Sequence, residues 1–143
     1  TIILKEMKKK KIKGNVVLLG SIYGLIGQDP DIYDNTKSEN VSYSAIKGGI
    51  VNYSRIAASC FGRSGIRVNC ILPGPVYTPM VYSSGMTKQH RSQRQNASLI
   101  QMEGDGWDIG KAVVYLSSSW ARYITGHLMV VDGGCSLSSR PRG

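Results

Sequence analysis

Apolar positions along the chain alternate between two spacings. Asn15-Val16-Val17-Leu18-Leu19-Gly20 is a short apolar run bounded by Gly14 and Gly20, the pattern of a strand buried on both faces. Residues 21–41 form a polar loop holding Asp29-Pro30-Asp31 and Asp34-Asn35-Thr36, residue types that favour turns. From Ser42 the spacing lengthens. Ala45, Ile46, Gly49, Ile50, Tyr53, Ile56, Ala57 and Cys60 recur three and four residues apart, as on the inward face of a long helix. Gly62 and Gly65 suit its end. Arg67-Val68-Asn69-Cys70-Ile71-Leu72 reads as a second strand, stopped by Pro73-Gly74-Pro75. Residues 83–99 are polar and weakly helical, the kind of segment that forms a mobile cover over a site. The unit then repeats, with a helix over 108–118 placing Ile109, Ala112, Val113 and Leu116 inward and a buried strand at Leu128-Met129-Val130-Val131. Residues 136–143 are expected to fray.

Strand, helix and strand joined by short connections make a βαβ unit, which requires a parallel sheet. The predicted class is therefore α/β, one open parallel sheet covered by helices. Such sheets take ligands at the carboxyl ends of their strands, where Ser21 and Pro73-Gly74 lie.

Composition narrows the picture without changing it. The chain has 143 residues, 41% hydrophobic and 19% charged, ordinary values for one globular domain. Much of the formal charge of +9 sits in one run, Lys5, Lys8 to Lys11 and Lys13. No aromatic side chain interleaves these lysines, so a solvated helix end is expected rather than a nucleic-acid site. Cys60, Cys70 and Cys135 are odd in number and lack metal or redox spacing, which suggests reduced, buried thiols in a cytoplasmic protein and no metal site. No apolar stretch reaches membrane-spanning length, and the start has its apolar and basic parts in the wrong order for a secretory signal. Opening on Thr1, with no Met and directly in an apolar pattern, the chain reads as a cut end.

The chemistry-bearing pair is Tyr43 and Lys47. Four residues apart on a helix, they leave one face about 5–6 Å apart at Cβ. A phenol of ordinary pKa about 10 is a poor acid or base near neutrality, and an ammonium within roughly 4–6 Å lowers such a pKa by about 1–3 units. That spacing alone occurs by chance in many helices. Ser21 supplies context, because a hydroxyl at a strand's carboxyl end can hydrogen-bond a substrate carbonyl as readily as it can cap a turn.

Four segments in order then resemble the short-chain dehydrogenase/reductase family. They are residues 14–21, residues 43–49 (Tyr43-Ser44-Ala45-Ile46-Lys47-Gly48-Gly49), residues 66–80 around Pro73-Gly74-Pro75-Val76-Tyr77-Thr78, and Ile124-Thr125-Gly126-His127 through Val131-Asp132-Gly133-Gly134. The resemblance covers nearly the whole chain and implies the carboxy-terminal portion of a Rossmann-like, doubly wound parallel sheet. It implies an oxidoreductase using NAD or NADP, with hydride passing between nicotinamide and an alcohol or carbonyl substrate. Tyr43 resembles the family's acid/base, Lys47 the residue that tunes it and holds the nicotinamide ribose, and Ser21 the hydroxyl that orients the substrate carbonyl. Pro73 and Gly74 resemble the turn packed on the nicotinamide, Val76 the residue offering backbone groups to the carboxamide, and Thr78 a nearby hydroxyl. The same resemblance implies a homodimer or homotetramer in the full-length form, with the long helix in one interface and the carboxy-terminal strand region in another.

Where the sequence departs from the family, the expectation changes. The glycine-rich phosphate-binding turn, the residue that selects NAD or NADP, the Asn-Ala-Gly segment and the catalytic asparagine should lie before Thr1, so the chain is expected to be a single partial domain, residues 1–143, without the cofactor-binding half and inactive alone. Gly20, Gly24 and Gly27 lack the required glycine where Ile26 stands. Gly104, Gly106 and Gly110 have no preceding strand and carry Glu103, Asp105 and Asp108, which would repel a pyrophosphate. The stretch before Tyr43 is longer than in the simplest members, as in bacterial members acting on sugars. Two alternatives remain at this stage. One is a nucleotide-sugar epimerase or dehydratase of the extended branch, against which Val131-Asp132-Gly133-Gly134 argues, and the other is a truncated, non-catalytic protein.

Overall fold

A computed structural model describes residues 1–28, 41–83 and 85–137, without the side chain of Tyr82. Three strands, β1 (Gly14–Leu19), β2 (Ile66–Pro73) and β5 (Leu128–Val131), make a parallel sheet in the order β1-β2-β5. Strands β3 (Val76–Tyr77) and β4 (Gly104–Asp105) form a separate two-stranded parallel sheet, each too short to leave a pattern in the sequence. The helices are α1 (Ile2–Lys9), α2 (Val41–Phe61), α3 (Pro79–Ser83), α4 (Lys88–Ala97) and α5 (Gly106–Ser117).

The central strand explains the layering. Ile66, Val68, Cys70, Ile71 and Leu72 of β2 are fully buried, and successive side chains point to opposite faces of the sheet. Val68 packs with Leu4 of α1 and Ala57 and Ala58 of α2, while Ile71 packs on the other face with Leu116, Ile109 and Val113 of α5. Two polar side chains tie β2 to the chain entering β5. Asn69, fully buried, donates Nδ2 to the Ile124 carbonyl (3.0 Å) and accepts from the His127 N–H (3.0 Å). Arg67 donates to the carbonyl of Leu116 (2.9 Å), an acceptor that the end of α5 leaves open, and to that of Ile124 (3.2 Å).

The strands and the two long helices lie within a few residues of their sequence-predicted bounds, and α2 gives way to a 3₁₀ turn at Gly62–Ser64 with Gly65 at φ 77°. Several details differ. The face of α2 is rotated: Val51, Ser54, Ala57 and Ala58 are buried, whereas Ile46 and Ile56 are 63% and 60% exposed. Small residues let the helix lie close to the sheet, and the Ser54 hydroxyl is satisfied by the Val51 carbonyl at 2.7 Å. Of the expected inward residues, Ala57 is buried and Ile50 and Tyr53 pack against the core, while the large Ile46 and Ile56 face outward. Strand β1 is only half buried rather than buried on both faces, because among the described residues it pairs with β2 alone and ends at an exposed Leu19.

Cys60 is exposed, in contrast to the expected burial, while Cys70 and Cys135 are buried, and none of the three is in a disulfide. Burial pushes the Cys70 thiol up, outweighing the opposing effects of the Gly20 backbone and the Lys47 charge. Since only the thiolate is alkylated, Cys70 modification by iodoacetamide is expected to stay slow between about pH 7 and 9 and to follow unfolding instead. Fast labelling of folded protein, mapped to Cys70 by mass spectrometry, would contradict this burial.

The lysines of the basic run are exposed, with Lys8 and Lys9 in the last turn of α1, where positive charge favours the helix dipole. No helix among the described residues is long and apolar enough to cross a membrane. The turn-rich part of the loop before Tyr43, and the tail from residue 138, lie outside the described residues.

Candidate active site

The site begins where β1 and β2 end side by side. Gly20 N–H donates to the Ile71 carbonyl (2.8 Å) and Gly74 N–H to the Val131 carbonyl (3.0 Å), extending the ladder beyond both strands. Ser21 is 6% exposed and extended, and its Oγ accepts from the Tyr23 N–H at 3.2 Å to start a 3₁₀ turn, Ile22–Gly24. The hydroxyl thus caps a turn while its proton stays available to donate.

That turn is pressed onto α2. A Cβ on Gly24 would lie 2.7 Å from the Lys47 carbonyl oxygen and 2.9 Å from its carbon. Only glycine permits this approach, and it fixes Ser21 relative to the first turns of α2, where Tyr43 and Lys47 stand. Tyr43 is 38% exposed, and the Lys47 ammonium lies 5.4 Å from its ring centroid, within cation–π range. On the other side, a Cβ on Gly74 would meet Asp132 at 2.5 Å, so the Pro73-Gly74-Pro75 turn sits flush against the end of β5.

A cleft of about 600 Å³ opens between these pieces. Ser21, Tyr43, Pro73, Gly74, Val76 and Thr78 all line it, whereas Lys47 stands beside Tyr43 outside the lining. Arg94 also lines it and is 6% exposed. Its Nε pairs with Glu103 and its Nη2 donates to the Val76 carbonyl at 3.1 Å. Neither Gly24 nor Arg94 stood out in the sequence. Gly24 looked like one of several loop glycines, and Arg94 belongs to a polar stretch whose partner is nine residues away.

The cover is less loose than expected. Helix α4 is anchored by Arg94 and by Ala97, 1% exposed, which packs with Ile22 and Cys135. The acidic residues before α5 have structural duties. Asp105 Oδ1 accepts from the N–H groups of Trp107 (2.7 Å) and Asp108 (3.1 Å), and Asp108 Oδ2 accepts from Asp105 N–H (3.0 Å), a reciprocal cap of α5. Gly104, expected to follow no strand, itself belongs to β4. No group of three or more metal-ligating side chains occurs among the described residues.

A parallel sheet with helices on both faces and a cleft at the carboxyl ends of its strands defines a doubly wound α/β fold. A family model described as enoyl-(acyl carrier protein) reductase matches residues 3–136, and the chain belongs to the short-chain dehydrogenase/reductase family. Bovine 3-oxoacyl-[acyl-carrier-protein] reductase is 37% identical over 137 residues, covering 94% of this chain and 50% of the relative. A 4-hydroxyisoleucine dehydrogenase complexed with NADH superposes with a TM-score of 0.82 at 30% identity, covering 96% of this chain and 53% of that one. A short chain dehydrogenase from Leptospira borgpetersenii with bound NAD+ gives a TM-score of 0.81 at 30% identity, covering 93% and 48%. Another solved relative holds NADP. The chain spans about half the length of the curated relatives it matches. These relatives are reductases and dehydrogenases, which leaves the epimerase alternative without support.

Proposed function

We propose that this chain is the catalytic half of an oxidoreductase that uses NAD or NADP to interconvert an alcohol and a carbonyl on a small-molecule substrate. The observation that carries the reading is the shared cleft, in which Ser21, Tyr43 and the 73–76 turn face one space with Lys47 over the Tyr43 ring. The residues fit the nicotinamide end of the cofactor. Pro73 and Gly74 would pack on the ring, Val76 would offer backbone groups to the carboxamide, Thr78 would add a hydroxyl, and Tyr43 and Lys47 would hold the ribose. The bound cofactor supplies a hydride acceptor or donor.

The chain's own residues manage the substrate oxygen and its proton. Ser21 donates a hydrogen bond to that oxygen and orients it. Tyr43 gives its phenolic proton to the oxygen as a carbonyl becomes an alcohol, and takes it back in the reverse direction. Lys47 places positive charge where the phenol oxygen becomes negative during transfer. The exposed Ile46 and Ile56 stripe of α2 supports a homodimer or homotetramer formed through that helix, and no nucleic-acid or membrane role is proposed.

Nicotinamide absorbance during turnover of small alcohols and ketones tests the reading, in a family-length protein carrying this chain as its carboxy-terminal half. Lys47→Met is expected to cut kcat by about 10²-fold or more. Parental turnover would remove Lys47 from the chemistry.

A further inference from the structure

Three buried or stacked charges meet behind the cleft. Arg94 on α4 binds Glu103 through Nε, and the Glu103 side chain is 2% exposed. The second Glu103 oxygen lies 3.7 Å from Nε of Arg91, whose guanidinium stacks 3.9 Å from the Tyr77 ring centroid. A buried guanidinium is tolerated when such a partner compensates it, and breaking the pair is costly. Arg94 is therefore held in place, with Nη2 on the Val76 carbonyl.

The direction of that carbonyl follows from the small sheet. Gly104 N–H donates to the Pro75 carbonyl at 3.1 Å, and Val76 is the residue paired with Gly104. In a parallel ladder the N–H and C=O of alternate residues serve opposite sides, so those of Val76 point away from β4. Val76 lines the cleft, and its carbonyl reaches Arg94 with one lone pair and keeps the other.

We propose that Arg94 is a positioning residue for the cofactor seat, fixing the Val76–Tyr77 peptide so that the carbonyl's second lone pair meets the amide donor of a nicotinamide carboxamide. This rests on the reading that Val76 faces the carboxamide. Glu103 holds the guanidinium, the guanidinium holds the carbonyl, and the carbonyl receives the ligand.

The test uses the 143-residue chain and nicotinamide mononucleotide, whose ring, carboxamide and ribose have seats here, compared with its 3-acetylpyridine analogue, which keeps the acceptor oxygen and lacks the amide donor. Binding is followed by saturation-transfer NMR titration and folding by circular dichroism. The unsubstituted chain should prefer the nicotinamide form, and Arg94→Met should shrink that preference about three- to tenfold, the worth of one hydrogen bond. Glu103→Gln keeps an acceptor for Nε and should retain most of it. A purely structural role for Arg94 would weaken both ligands equally, so an unchanged or increased preference in Arg94→Met overturns the proposal. Should that variant fail to fold, Arg94→Lys, which cannot serve Glu103 and Val76 with the same fork, must show the loss, and an unchanged preference there overturns it equally. No preference in the unsubstituted chain would defeat the carboxamide seat itself, and Arg94's role with it.

Discussion

Replacing Tyr43 by Phe, in a family-length protein carrying this chain, is expected to lower turnover by about 10²–10⁴-fold, the usual contribution of a positioned proton donor. The substitution deletes one hydroxyl and keeps the ring under the Lys47 ammonium. Tyr43 is 38% exposed and lies in none of the buried clusters, so thermal stability should hardly change. Substrate KM should also change little, because Ser21 and the walls of the cleft still hold the substrate. The measurement is steady-state kinetics beside a melting curve. Near-parental kcat with an intact fold would move the acid/base role to another residue.

Taken alone, the 143-residue chain is expected to bind NAD(H) and NADP(H) no better than about 1 mM, equivalent to about −4 kcal/mol, and to show no dehydrogenase activity. The cleft provides seats for the nicotinamide end only. A pyrophosphate needs backbone N–H groups at a glycine turn and a helix amino terminus, and the glycine clusters present do other work: Gly24 lies against α2, and Gly104 and Gly106 flank the Asp105 cap. Nicotinamide mononucleotide should therefore bind about as well as the dinucleotides. Among the described residues one side of β1 is unpaired and offers N–H and C=O groups to another chain, so light scattering should show association. Calorimetry giving micromolar affinity for either dinucleotide, on a monomeric sample, would show that this cleft does not depend on an adenosine seat.

The strands and the cleft were readable because their signals are local. Apolar runs closed by glycine or proline marked β1, β2 and β5, and Ser21 and Pro73-Gly74 fell at strand ends by position alone. The inward stripe of α2 was readable only in part. Ala57 was, but Ser54 and Ala58 are chosen for closeness rather than greasiness, and a pattern weighted by side-chain size favours Ile46 and Ile56. Gly24 and Arg94 were missed for a related reason. Each acts through a partner far along the chain, Lys47 in one case and Glu103 and Val76 in the other, and neither contact leaves a period in the sequence.

Asn69 and Arg67 bear on how faithfully the sheet assembles. β5 is apolar at all four positions, Leu128 to Val131, so the pattern of its side chains does not by itself oppose a register slip of two residues. The buried amide of Asn69 does not permit it, because both its oxygen and its nitrogen are spent on backbone groups at fixed places, His127 N–H and Ile124 C=O. A strand displaced by two residues would leave that amide without partners, at about 1–3 kcal/mol for each stranded group. Arg67 adds a further lock, since it reads the end of α5 and the approach to β5 together. A single polar pair on the central strand thus fixes the register of β5, just before Asp132, which packs against Gly74 at the cleft.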